Sequence, residues 1–175
     1  MSNNKLRNER NGQMPILNDA IAEYTAQLQT GQIQIAYKGI MTFMSALKTK
    51  LESDHPDYAA SGLYFGYMDM TYFAFTPLEL KRRNLKIAIV YLHQENRFEL
   101  WLGGGNRKVQ AEYIEFFKGI DLGAYRLSQV SPGVDSIIEF IVSEQPDFND
   151  PDELTNTIEK QTIEFSEKVL EILPA

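Results

Sequence analysis

The sequence predicts an α+β domain: a central, mainly antiparallel sheet of about four strands in helix-β-β-β-helix-β order, flanked by N- and C-terminal helices. Three observations carry this expectation. Apolar residues recur at three- and four-residue spacing over residues 33–54 and again over 151–173, one helix face each time. From Ser61 the apolar period changes to two. Residues 86–92 and 97–102 are two apolar runs parted by the polar Gln94-Glu95-Asn96, the pattern of a hairpin.

The elements follow in order. Residues 15–30 form a first helix with Leu17, Ala20, Ile21, Tyr24 and Leu28 on one stripe, stopped by Gly31. Residues 33–54 form a second, central helix through Ile33, Ala36, Tyr37, Ile40, Met44, Leu47 and Leu51, widened by Met41 and Phe43. His55-Pro56 ends it, because the residue before proline is pushed out of the helical region. A strand over 63–75 has two largely apolar faces and is expected to be buried on both sides. It is long for one strand, so a bulge or tight turn near 66–69 is expected, placing Asp69. Thr76-Pro77-Leu78-Glu79 reads as a capping box opening a short helix to about Arg83. After the hairpin, Gly103-Gly104-Gly105 breaks the sheet, and Asn106 caps a helix to about Lys118 that carries Val109, Tyr113, Phe116 and Phe117 inward. Residues 124–129 form a last short strand. In residues 131–142, Val134, Ile137, Ile138 and Ile141 fit a helix capped by Ser131 with Pro132 at its first position. Asp150-Pro151 opens the final helix, whose stripe is Leu154, Ile158, Phe165, Val169 and Ile172, with Thr162 in the gap.

Composition sets the bounds. The 175 residues read as one domain over 14–175, preceded by a polar, disordered tail at 1–13 that lacks the apolar core of a secretory signal. A domain of this size buries roughly 70% of its unfolded surface. With 43% hydrophobic residues the chain is expected to fold without metal, and no cofactor is implied. The absence of cysteine removes disulfides, thiolate zinc sites and cysteine nucleophiles, and suits a cytoplasmic protein. No apolar run approaches the ~20 residues that span a bilayer. A net charge of -7 argues against generic polyanion binding.

Site candidates come from polar residues set among aromatic strands, where an ionisable group is costly to bury unpaired. Tyr67, Asp69 and Tyr72, with Glu99 and Trp101 on a nearby strand, form the leading constellation. Two carboxylates brought together hold a divalent ion or share acid–base work; the alternative is that each accepts hydrogen bonds within a structural network. His93, one of only two histidines, is a candidate general base near pH 7, with partial exposure at a strand end and no function as the commoner alternative. Asn106, Arg107 and Lys108, following the three glycines, suggest an anion site at a helix start. The pattern matches neither G-x-G-x-x-G nor a P-loop, and a plain strand-to-helix turn is the commoner meaning of such glycines. Lys81, Arg82, Arg83, Lys86, Arg97, Arg107 and Lys108 make the middle of the chain basic, a second route to nucleic acid. No G-x-S-x-G elbow supports a serine nucleophile.

Four stretches carry a family resemblance: G-Y-M-D-M-T-Y-F at 66–73, L-K-I-A-I-V at 85–90, R-F-E-L-W-L at 97–102 and G-V-D-S-I-I-E at 133–139. They resemble a family of bacterial proteins labelled only as a domain of unknown function, over about residues 24–173. The resemblance implies a bacterial cytosolic protein and brings no activity. The element order is also similar to restriction-endonuclease-like folds, whose third core strand carries E-x-K. Here that strand offers Glu99-Leu100-Trp101, with tryptophan in the place of lysine, so the nuclease chemistry is expected to be absent. The expected function is binding of a small molecule or protein partner through an aromatic and acidic face. Nucleic-acid binding with a degenerate nuclease-like site is the alternative.

Overall fold

The structure, a computed structural model, describes residues 16–174. The tail expected at residues 1–13 lies outside the described residues. Backbone contacts divide the chain into two compact units, Met1–Gly39 and Ile40–Ala175. In the first, α1 (Leu17–Gln29) has the predicted apolar spacing, yet none of its residues is buried, and Leu17, Ile21 and Tyr24 stand exposed. Thr30 Oγ1 donates to the Gln27 carbonyl at 2.8 Å, and Gly31, at φ 75°, turns the chain as predicted. There α2 (Gln32–Asp54) begins. Its predicted stripe is fully buried only from the second unit onward, at Phe43, Met44, Leu47 and Leu51.

The second unit is built on a six-stranded sheet, not one of about four, in the order β1-β2-β3-β4-β6-β5. The strands are β1 (Tyr58–Ala60), β2 (Met70–Pro77), β3 (Leu85–Leu92), β4 (Arg97–Gly104), β5 (Arg126–Leu127) and β6 (Ser136–Glu144). Every pairing is antiparallel. The helices are α3 (Leu78–Arg82), α4 (Arg107–Phe117) and α5 (Pro151–Ile172). The edge strands, of 3 and 2 residues, are short enough to offer little unpaired backbone to another chain.

Two elements depart from expectation for reasons the pairing makes plain. The helix predicted over residues 131–142 does not form; residues 136–144 make β6 against β4. A register shift between Leu102 and Gly103 breaks the alternation, so Ile137 and Ile138 are both buried. Apolar residues therefore fall at a spacing that imitates a helix. The strand predicted over 63–75 is split by the expected turn: Gly66 and Met68 take φ 68° and 62°, and Tyr64 pairs back onto Tyr72. Only residues from Met70 join the main sheet, and the first half lies at the surface rather than buried on both sides.

The capping box at Thr76 also fails. Pro77 is the residue before α3 and makes no cap, while the Thr76 hydroxyl accepts from Ile87 N–H at 3.1 Å within the sheet. Of the inward residues expected on α4, Phe117 is buried and Phe116 is 38% exposed; Gln110 and Ile114 are buried instead. The three glycines do not break the sheet. Gly103 and Gly104 belong to β4, and a Cβ on Gly104 would come within 2.7 Å of Gln110 N, so the glycine lets α4 start against the strand.

Strand alternation sorts the sheet into two faces. Phe73, Phe75, Ile87, Ile89, Tyr91, Phe98, Leu100, Leu102 and Ile138 pack with Met44, Leu47 and Leu51 of α2 and Leu154, Ile158, Phe165 and Val169 of α5. The opposite face carries Met70 and Tyr72 of β2, Lys86, Ala88 and Val90 of β3, Arg97, Glu99, Trp101 and Gly103 of β4, and Glu139 of β6.

A clamp ties α2 to α5. Lys50 Nζ lies 2.7 Å from Glu159 Oε2, and His55 Nε2 lies 2.8 Å from Glu159 Oε1. Burial pushes the Glu159 carboxyl up, but the hydrogen bonds from Lys50 and His55 together outweigh it and hold the group below its ordinary 4.5. A carboxyl whose folded value lies below its unfolded one contributes stability that is complete above the unfolded value. That stability fades as pH falls through the folded value. Lys50 is 39% exposed, which discounts the pair to the order of 1 kcal/mol. The stability difference between the native protein and Glu159→Gln, read from urea unfolding, is therefore expected to be of that size at pH 7. It should shrink toward zero below about pH 4.5.

Candidate functional site

The structure divides the predicted constellation in two. One part is the turn ahead of β2. Tyr67 is 92% exposed at its tip, and Asp69 Oδ1 accepts from Tyr67 N–H at 2.8 Å. Backbone hydrogen bonds from Tyr67 and Met70 hold the Asp69 carboxyl below its usual range, the signature of a turn-capping aspartate. His93 donates its backbone N–H to the Asp69 carbonyl at 3.0 Å. Its Nε2 lies 2.9 Å from Thr71 Oγ1, and that hydroxyl donates to the Phe65 carbonyl at 2.9 Å. The one hydroxyl proton is thus used, so His93 carries its hydrogen on Nε2 toward Thr71. Burial lowers the His93 pKa, against a smaller upward pull from Asp69, so the ring is neutral at pH 7 and braces the loop. Tyr67→Ala should leave the urea midpoint unchanged, within ~0.5 kcal/mol. Asp69→Ala should cost about 1 kcal/mol through the lost turn bonds, with Asp69→Asn retaining most of them.

The other part lies on the sheet face opposite the core. Glu99, on β4, has a side chain only 2% exposed, with Oε1 2.6 Å from Arg97 Nη2. The contact is close but poorly aligned, leaving Glu99 Oε1 and Arg97 Nε without a hydrogen bond. Glu99 Oε2 accepts from the Trp101 indole N–H at 2.6 Å. The ion pair therefore neutralises the buried carboxylate, and the carboxylate fixes the indole. β3 separates β2 from β4, placing their backbones ~9–10 Å apart, so Asp69 and Glu99 do not share an ion or a proton. Among the described residues no three His, Asp or Glu side chains converge as a metal site.

That same spacing makes a groove. Tyr72 and Trp101 stand on β2 and β4 opposite Val90 and Ala88 of β3, so two rings flank a floor of small side chains. Met70, Lys86, Gly103, Gly133, Asp135 and Ser136 complete a hollow of about 100 Å³. Tyr72 is itself packed by Tyr64, with ring centroids 4.9 Å apart. Beyond Trp101, Glu139 is held by the Arg126 guanidinium, by Ser136 Oγ at 2.6 Å and by Ser128 Oγ at 3.3 Å. A larger hollow of about 280 Å³ runs along Glu99, Arg126 and Glu139, but each of its carboxylates already has an arginine partner.

Two of the three residues of the predicted anion site are engaged by the protein's own backbone. Asn106 Oδ1 caps Val109 N–H at 3.0 Å. Arg107 turns its guanidinium to the Ser131 and Val134 carbonyls, at 2.9 and 3.0 Å. Lys108, strongly exposed, stands 3.9 Å from Glu112. Arg83 likewise caps the Pro174 carbonyl and Arg97 serves Glu99, so much of the basic cluster is engaged internally. Asp135, Ser136, Glu139 and Arg126 entered through the structure, and so did the place of Lys86, known from the sequence only as part of the basic stretch, in the groove. Lys86 shares the Ala88 and Val90 face by simple alternation, a signal available in the sequence. Asp135, Ser136 and Glu139 were hidden by the helical reading of their segment.

No helix of the described residues is long and apolar enough to cross a membrane. Comparisons with curated proteins and with solved structures give no match. A family model covers residues 17–173, including all four stretches that carry the resemblance. The chain belongs to the family described as "Domain of unknown function (DUF7000)".

Proposed function

We propose that this domain binds a small molecule, without transforming it, in the groove between Tyr72 and Trp101. The observation that carries the reading is the held indole. Trp101 is fixed through its N–H by a buried carboxylate that is itself neutralised by Arg97, so its ring is oriented before any ligand arrives. A rigid aromatic wall over an apolar floor, with a few polar groups at the rim, is the usual make-up of a small-molecule pocket. His93 does not line this groove, and the Ser136 hydroxyl there is committed to Glu139, which favours binding over catalysis. Protein partners would meet the same face through the same rings.

Trp101 is the only tryptophan, so its indole N–H gives one nuclear magnetic resonance signal. Fragments of benzene to indole size are expected to shift that signal saturably. Ala88→Leu, which fills the floor, should weaken them at least tenfold while leaving the fold intact. If no fragment moves the indole signal, or if Ala88→Leu binds as well as the native protein, the groove is not a ligand site.

A further inference from the structure

We infer that the ligand of this groove is a small zwitterion with one apolar group, of the phenylalanine or leucine kind; the inference rests on the groove reading above. Lys86 and Asp135 line the same hollow. Two other charge sets on this face are internally paired, Arg97 with Glu99 and Arg126 with Glu139. Lys86 and Asp135 form no ion pair with each other or with any other described residue, although they share one rim. Opposite charges held apart beside an apolar floor match a ligand that carries both charges and one apolar arm.

Their position is set by the backbone. Lys86 is the cross-strand partner of Gly103. A Cβ on Gly103 would come within 3.0 Å of Lys86 Cε and 3.3 Å of the Asp135 carbonyl oxygen. The missing side chain lets the lysine stem lie across β4 toward the loop that bears Asp135. The carboxylate of a zwitterion then faces the Lys86 ammonium, and its ammonium faces Asp135. Its apolar group lies over Ala88 and Val90 between the two rings.

Size limits that group. The hollow measures about 100 Å³. A buried cavity of roughly 150 Å³ holds one benzene, and drug-sized pockets begin near ~300 Å³. The hollow is smaller than either, so a branched aliphatic chain or the edge of one ring enters it, with the rest of the ligand and its charged end at the rim. Nucleotides and oligosaccharides do not.

The test follows the Trp101 indole resonance of ¹⁵N-labelled protein at moderate salt. The probes are L-phenylalanine, L-leucine, phenylacetate, phenethylamine and glycine. L-Phenylalanine and L-leucine are expected to bind roughly two- to fivefold more tightly than the two singly charged analogues, the size of one partly exposed ion pair. Glycine, lacking the apolar group, should leave the signal in place. Lys86→Met should bring L-phenylalanine down to the affinity of phenethylamine. Asp135→Asn, at an exposed loop position, should bring it down to that of phenylacetate. Equal binding of zwitterion and single charges, or unchanged affinity in both variants, overturns the zwitterion assignment. So does silence from all five probes where neutral fragments still shift the indole, an outcome that leaves the groove reading standing. Silence from probes and fragments alike ends both.

Discussion

Glu99→Ala is expected to lower the unfolding free energy by about 3 kcal/mol, the lower part of the range for removing one partner of a buried ion pair. The carboxylate is 2% exposed and serves two donors, Arg97 Nη2 and the Trp101 indole N–H. Truncation leaves a guanidinium that is only 25% exposed without its counter-charge, and strands the indole donor. Water reaching Arg97 moderates the loss, which places the figure at the low end. The control is the double variant Arg97→Met, Glu99→Leu. It removes both charges together and should fall well short of the single variant's cost, because desolvating the pair offsets much of its attraction. Urea midpoints with unchanged slope measure both. If Glu99→Ala shifts the midpoint no more than the double variant does, the network contributes nothing to holding the indole. Trp101 would then be an unconstrained surface ring.

Phe98→Ala is expected to cost ~3–5 kcal/mol, the range for truncating a packed aromatic. Phe98 is fully buried and meets Phe43, Tyr91 and Phe148, at ring-centroid distances of 5.8, 5.0 and 6.1 Å. It sits one residue before Glu99 and points to the helix-covered face, so the two substitutions probe opposite sides of one strand. Trp101→Ala provides the contrast. Trp101 is half-buried in the groove wall, and its loss should cost clearly less than that of Phe98 while removing ligand response. Equal losses at Trp101 and Phe98 would mean that the face bearing Trp101 is packed as core, and the site assignment would fall with it.

Much of the secondary structure was legible because the local signals were strong and agreed with the pairing. The hairpin of β3 and β4 follows from two apolar runs around a polar turn. Asp150 caps α5 by accepting from Glu153 N–H at 3.2 Å, as Asp-Pro at a helix start implies. Asn106 caps α4 for the same reason. The turn at Gly66 was visible as a strand too long to continue. Legibility failed where one residue served two patterns. Thr76 looks like a helix cap, but its hydroxyl found a closer use on Ile87 in the neighbouring strand. Val134, Ile137, Ile138 and Ile141 looked helical because a bulge against β4 placed consecutive isoleucines in the core.

The candidate site divides along the same line. Sequence alone determined that Tyr72, Glu99 and Trp101 lie on strands, and that their charges and rings needed partners, since those demands are carried by each residue and its immediate neighbours. Tertiary structure decided which residues meet. Strand order put β3 between β2 and β4, so small Ala88 and Val90 became the floor between two rings, and Asp69 was parted from Glu99. Pairing of β6 with β4 set Glu139 opposite Trp101. Close packing at Gly103 brought Lys86 and the Asp135 loop to one rim. Each of these depends on contacts between residues distant in the chain. Local propensity and periodicity act over a few residues, and so they do not specify which strand becomes whose neighbour.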